Sequence, residues 1–245
     1  MIMDKRPFLF KKFGLFHHNS TMRIGTDAVL LACWTDISDD DDILDIGTGC
    51  GIIPLMLAQK RDSRCPGVID AVEIDEPSSI EANYNFKNSV WDKQLSVYHC
   101  DIRNFASAAE RKYDLIISNP PFFYGDNIPS NPRKILARHA GSLSYTDLLT
   151  VVASLLKRKG RLSVVLPMIE SSRFILCASQ YGFNLFKMMR IIPVMGKNPN
   201  RVNMQFVGYQ VEKPDVEDFV IRNEDHSYTE SYKLFLKDYY LDPIK

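Results

Sequence analysis

The sequence predicts an α/β protein, a mostly parallel sheet with helices on both faces and an antiparallel hairpin at one edge. Three observations predict it. Short apolar runs rich in Val, Ile and Leu alternate with helix-length amphipathic stretches. The first of these runs, ILDIG (43–47), ends in a glycine-rich turn that opens a helix. Near the C-terminus, LFKMMRIIPV (185–194) and NMQFVGYQV (203–211) are two strand-like runs joined through KNPNR.

The elements follow in order. PFLFKKFGLF (7–16) reads as a hairpin or extended arm. TDAVLLACW (26–34) reads as a buried helix with Thr26 as its N-cap. The aspartates at 39–42 mark a turn before ILDIG. IIPLMLAQKR (52–61) tolerates Pro54 if it falls in the first turn. VIDAVEI (68–74) is a strand, and EPSSIEANYNFKNS (76–89) is a helix with Pro77 just inside its start. LSVYHC (95–100), YDLIIS (113–118) and RLSVVLP (161–167) are further strands. SYTDLLTVVASLLKRKG (144–160) has a cap at Ser144, an acid at Asp147, basic residues in its last turn and Gly160 at its stop. YTESYKLFLKDYY (228–240) reads as a terminal amphipathic helix. No repeat or linker is visible, so the expected organisation is one domain over residues 1–245. Within it, an arm and helix (1–40) cap a core (41–245).

Composition narrows the class. The 245 residues are 45% hydrophobic and 24% charged, ordinary for a soluble globular chain. No apolar run reaches the length of a membrane span, and the N-terminus has no signal-peptide pattern. The five cysteines form no C-x-x-C pair and are odd in number. No metal site or disulfide framework is therefore expected, and a reducing, cytoplasmic setting fits. Formal net charge is zero, so any nucleic-acid surface must come from local clustering.

Four motifs carry chemistry. In LDIGTGCGIIPL (44–55), Asp45 ends a strand and Gly47, Gly49 and Gly51 let the backbone turn sharply and approach a ligand. Alone, this fits a dinucleotide site or a plain turn as well as an adenosyl cofactor. In AVEID (71–75), Glu73 stands where an acid accepts hydrogen bonds from both ribose hydroxyls, or is simply a solvated strand-end carboxylate. Asp101, after the strand ending at Cys100, meets a cofactor adenine amine or caps a helix. The fourth motif decides. IISNPPFF (116–123) places Asn119, Pro120, Pro121 and Phe122 at the end of the fourth strand. A conjugated amine nitrogen must lose its delocalisation to attack a methyl sulfonium. The Asn119 side-chain oxygen and the Pro120 carbonyl can each accept one hydrogen of that amine, and the help grows as the nitrogen pyramidalises. The prolines fix the carbonyls, and Phe122 offers a flat face to a base.

With these motifs in hand, the chain resembles the tRNA1(Val) adenine-37 N6-methyltransferase family. FKKF (10–13), TMRIGTDAVLLACW (21–34), DIGTGCG, ISNPPFF, LARH (136–139), VVLP (164–167) and IRNEDHSYTESYKLFLKDYYL (221–241) all look like that family. The resemblance implies a Rossmann-like, seven-stranded methyltransferase sheet, S-adenosylmethionine as cofactor and a tRNA anticodon loop as substrate. The candidate cofactor residues are Arg23, Asp27, Asp45, Gly47, Thr48, Gly49, Glu73, Ile74, Asp101, Ile102 and Asn119, and Asn119 to Phe122 hold the target amine. Cys50 stands where a small hydroxyl residue is common. Arg23 and Asp27 flank Gly25 and Thr26 ahead of a buried helix, and serve the methionine end of the cofactor or a helix cap equally well.

The alternatives are a guanine N2-methyltransferase of ribosomal RNA, a glutamine N5-methyltransferase of release factors, which usually has a longer helical N-terminal domain, and, third, a DNA adenine enzyme. Outside this chemistry stand an RNA-binding protein with a vestigial cofactor site and a dinucleotide-dependent oxidoreductase, which has no use for N-P-P-F. A monomer is expected. Candidate phosphate contacts are Lys5, Arg6, Lys11 and Lys12 in the arm, Arg133, Lys134 and Arg138 after the N-P-P-F loop, and Lys197 and Arg201 near the edge hairpin.

Overall fold

In the computed structural model, residues 6–21, 24–61, 66–120 and 143–241 are described. Eight strands form one sheet. In chain order they are β3 (Ile43–Ile46), β4 (Ile69–Glu73), β5 (Leu95–His99), β6 (Tyr113–Ser118), β7 (Leu156–Pro167), β8 (Asn184–Val194), β9 (Arg201–Val207) and β10 (Asp215–Arg222). They lie side by side as β10-β8-β9-β7-β6-β3-β4-β5. Only β9 runs against its neighbours. A separate hairpin of β1 (Phe8–Leu9) and β2 (Gly14–Leu15) forms the arm.

The helices are α1 (Thr26–Trp34), α2 (Ile52–Lys60), α3 (Glu76–Lys87), α4 (Ile102–Ala108), α5 (Tyr145–Leu155), α6 (Ser171–Gln180) and α7 (Glu230–Leu236). Strand residues serve both faces in turn, which is why the runs read as continuously apolar. Ile43, Ile69, Leu115, Ile117 and Val165 pack with α1, α2 and α3. Leu44, Ile46, Val72, Ile116 and Val164 pack with α4, α5 and α6. The arm is anchored rather than loose: Phe10, Phe13 and Leu15 are buried, and Phe10 bridges to Tyr240. Among the described residues, no helix is long and apolar enough to cross a membrane.

Four expectations need correction. The sheet has eight strands rather than seven, because β10 adds parallel to β8 outside the hairpin. Its sequence, DVEDFVIR, is too polar at its start to show alternation, and its first four residues are exposed. The helix beginning at Ser144 stops at Leu155, and Lys157–Arg158–Lys159–Gly160 run into β7. Lys157 is drawn there by Asp42 and Asp114, 3.0 and 2.7 Å away. The N-cap of α1 is Gly25, and Thr26 is its first helical residue. Helices α4 and α6 were not foreseen. The Ser144 cap itself is present, as a reciprocal capping box with Asp147.

The order of strands fixes the site. Chain progression reverses between β3 and β6, and the carboxyl ends of β3, β4 and β6 open on the same edge. That reversal is where open parallel sheets bind ligands. The turn from β3 into α2 is forced into shape by its surroundings. Gly51 has φ +86, and a Cβ there would lie 2.5 Å from Phe86 Cε1. Replacing Gly51 by Ala should therefore cost about 2–4 kcal/mol, a left-handed penalty plus overpacking. Urea unfolding checks this, and an unchanged midpoint would show that α2 and α3 have room to separate.

Candidate functional site

Four unpartnered polar groups mark this edge. Asp45, in β3, is fully buried, and neither carboxylate oxygen has a hydrogen-bond partner among the described residues. The same holds for the buried Thr48 hydroxyl in the next turn, for Asn119 Oδ1 at the end of β6, and for both amide atoms of Asn203 in β9. Asn203 belongs to the same edge by register. Val165 pairs with Asn203 on one side, and its neighbour Val164 pairs with Ser118, the residue before Asn119, on the other. Leaving such a group unmet costs about 1–3 kcal/mol, so a cluster of them at one strand end is what a site awaiting polar ligand groups looks like.

The glycine turn supplies the cradle. Gly47 and Gly49 have φ +75 and +57, and a Cβ at either would meet nothing within 4 Å. The space beside the turn is open where the backbone is bare. Glu73, at the end of β4, ties the turn down: Gly49 N–H donates to Oε2 at 2.8 Å and Asp75 N–H to Oε1 at 2.9 Å. Burial pushes the Glu73 carboxyl up, against the pull of those amides. On the other side, the Ser118 hydroxyl donates to Ile46 O at 2.8 Å, which fixes the root of Asn119 against the root of the turn. Asn119 itself is half-buried and Pro120 is buried.

Asp101 stands at the start of α4. It caps α4, accepting from Arg103 N–H at 2.8 Å, and its carboxylate is gripped by the Arg103 guanidinium at 2.5–3.2 Å. That hydrogen-bonded pair holds its carboxyl below the usual value. Ile74 is exposed beyond Glu73, while Ile102 is buried under the start of α4. Asp27 lies in the first turn of α1 and pairs with Arg201, 2.9 Å away, so two residues expected in separate roles meet each other. Lys11 donates to Lys237 O, and the Arg6 carbonyl meets the His18 ring. Cys50 is buried, and burial pushes its thiol up to about 12, which leaves it a packing group rather than a nucleophile. Lys5, Arg23, Pro121, Phe122, Arg133, Lys134 and Arg138 lie outside the described residues. Among the described residues, no cluster of ligating side chains could hold a metal ion. Asn203 escaped the sequence reading. Its only signal was a polar residue at a core position of NMQFV.

The donor set suits a group with hydroxyls, cations and an amine to place. An acidic residue closes the β4 end, a buried acid lies behind the turn, and the backbone between them carries no side chains. A family model for the methyltransferase small domain matches residues 9–173. A predicted O-methyltransferase from Agrobacterium tumefaciens superposes with a TM-score of 0.65 at 15% identity, covering 87% of this chain and 96% of that one. A methyltransferase from Pyrococcus furiosus does so at 0.57 and 17% identity, covering 81% and 90%. Curated relatives match over nearly the full length. They are the tRNA1(Val) (adenine(37)-N6)-methyltransferases of Proteus mirabilis (37% identity, 98% of this chain and 95% of the relative) and Trichodesmium erythraeum (36%, 98% and 99%). The chain belongs to the tRNA1(Val) (adenine(37)-N6)-methyltransferase family. Its cofactor is S-adenosylmethionine.

Asp45 gives the site a pH signature. Burial pushes its carboxyl from 3.8 up to about 7, the nearby Thr48 hydroxyl, short of full hydrogen-bond geometry, acts weakly against it, and the neighbouring Glu73 adds to it. Between those two values the folded chain holds a proton that the unfolded chain has released. The contribution is fully present below 3.8 and is lost as pH rises through about 7. Asp45→Asn keeps the neutral form at every pH, so its advantage over the native protein in ligand-free melting temperature should grow between about pH 5 and about pH 8. Calorimetry at both pH values checks this, and an equal difference at the two would place the titration elsewhere.

Proposed function

We propose that this protein transfers a methyl group from S-adenosylmethionine to the N6 amine of adenine 37 in the anticodon loop of tRNA1(Val). The observation that carries the reading is Asn119 Oδ1, an amide oxygen without a partner among the described residues, at the strand end beside the glycine turn. S-adenosylmethionine supplies an electrophilic methyl on sulfur. Glu73 holds the ribose hydroxyls with the lone pairs that Gly49 and Asp75 leave free. Asp45 and Thr48 receive the cationic methionine end, and Ile74 and Ile102 border the adenine, with Asp101 at its amine. Arg23 and Asp27 close the methionine side, Asp27 from within its pair with Arg201.

The target adenine is swung out of its stack, because an amine inside the loop cannot reach the strand end. Asn119 Oδ1 and the Pro120 carbonyl each accept one of its N–H bonds. They draw the nitrogen toward the pyramidal form and expose its lone pair to the methyl group. Pro121 stiffens the carbonyls, and Phe122 provides the stacking face. Lys197 and Arg201 stand at the same sheet edge to meet phosphates. The reading keeps residues 1–245 as one domain and takes the protein as a cytoplasmic monomer. The same tetrad suits guanine N2 or a glutamine amide. The relatives' names set adenine first.

Replacing Asn119 by Ala should lower transfer roughly 100-fold or more while sparing cofactor affinity. Single-turnover assays on purified tRNA with calorimetry for the cofactor check it, and turnover within about tenfold of native would remove Asn119 from the reaction. Tritiated methyl mapped on total tRNA tests the substrate. Label at adenine 37 is expected, and label on guanine or on protein would transfer the reading to one of the alternatives.

A further inference from the structure

One face of α3 stitches the segment after the arm onto the cofactor turn. Glu81 is fully buried, yet no cation pairs with it among the described residues. Its carboxylate is instead wrapped by residues 18–20: Oε1 accepts from His18 N–H at 2.9 Å and Asn19 N–H at 3.0 Å, and Oε2 from Ser20 N–H at 2.9 Å and the Ser20 hydroxyl at 2.7 Å. Three consecutive amides on one carboxylate form an anion nest, occupied from within the chain. One turn further along α3, the Asn85 amide bridges two segments. Its oxygen accepts from Phe16 N–H at 2.9 Å, and its nitrogen donates to Phe16 O and to Cys50 O, both at 2.8 Å. One turn earlier, Ser78 Oγ accepts from Thr21 N–H at 3.1 Å and donates to Asp75 Oδ2 at 2.6 Å, and Asp75 N–H reaches Glu73.

Residues 16–21 are thus held at Asn85, Glu81 and Ser78, which lie on one helical face. The same face reaches two adjacent residues of the glycine turn, Cys50 O directly and Gly49 N–H through Asp75 and Glu73. We infer that Glu81, with Asn85, is a positioning residue for S-adenosylmethionine. It holds the strap of residues 16–21 and the glycine turn as one rigid frame beside the cofactor. The inference rests on the reading of the glycine turn and Glu73 as the cofactor site. Among the described residues Glu81 is met by backbone and hydroxyl donors rather than by a cation. A strap that merely had to be covered could be held by apolar packing, as the arm is at Phe10 and Phe13.

The chemistry of the nest makes the test sharp. Glu81→Gln turns one acceptor into a donor that faces backbone N–H groups, with almost no change in volume. It should raise the KM for S-adenosylmethionine roughly tenfold or more while kcat at saturating cofactor stays within about threefold. Glu81→Ala should show the same rise, and formate, supplied as the free anion, should reverse part of it by refilling the nest. Glu73→Ala is measured beside them. If Glu73→Ala weakens the cofactor but folded Glu81→Gln does not, the strap plays no part and the inference falls alone. If neither weakens it, the glycine turn is not the cofactor site and both readings fall. Hydrogen exchange on the native protein is independent of how the variants fold. The amides of residues 18–20 should become more protected when S-adenosylmethionine is added. Equal protection with and without it would overturn the inference.

Discussion

The site depends on a turn that only a nearly bare backbone can make. Between Ile46 and Ile52 the chain leaves β3, reverses through three left-handed glycines and enters α2. Three neighbouring elements then fasten onto that turn. Strand β4 sends Glu73 to Gly49 N–H, α3 sends Asn85 to Cys50 O and presses Phe86 against Gly51, and β6 sends Ser118 to Ile46 O. The glycines at 47 and 49 keep one side of the turn empty, while the bonds on the other side keep it still. A flexible loop of the same composition would give no fixed place for a small ligand. Here the carboxylate, amide and hydroxyl partners lie on separate secondary elements, so the turn inherits the rigidity of the sheet.

Against this rigid background, the unmet groups acquire meaning. Asp45, Thr48, Asn119 and Asn203 sit at one end of the sheet with polar atoms unbonded among the described residues, whereas other buried acids there have partners. Asp70 receives the Tyr113 hydroxyl at 2.8 Å, and Asp41 receives Arg161. Glu81 collects four donors. Burial alone does not draw this contrast, since Asp45 and Glu81 are equally inaccessible. The contrast also explains why the Asp45 carboxyl lies far above its ordinary value: burial acts on it with little hydrogen bonding to oppose it.

Much of this was legible in the sequence, and the parts that were not share a cause. Strands buried on both faces announced themselves by continuous apolar runs. The glycines and Asn119 stand out in the sequence because a strand end followed by Gly or Pro is a short-range signal, and Glu73 because it closes the next strand. Strand β10 was missed because half of it is exposed and polar, and its place is set by pairing with β8 rather than by its own pattern. The helix at Ser144 was drawn too long because Lys157 reads as a helix-ending base. In the fold it answers Asp42 and Asp114, residues far away in sequence. Glu81, Asn85 and Asn203 were invisible for a similar reason. Each looks like an ordinary polar residue until the partner segment, 16–21 or the strand beside it, is brought alongside. Asp101 shows the converse, since one of its two sequence readings, the helix cap, is displayed directly by the structure.

The central claim is that the oxygen of Asn119 is left open for an exocyclic amine. A crystal structure of the protein with S-adenosylhomocysteine and an anticodon stem-loop tests it most directly. The expected result is an unstacked adenine whose N6 lies about 3 Å from Asn119 Oδ1 and from the Pro120 carbonyl oxygen, facing the sulfur across the glycine turn. An adenine that remains stacked in the loop, or an Asn119 amide turned onto a protein donor with N6 out of hydrogen-bond reach, would contradict the account.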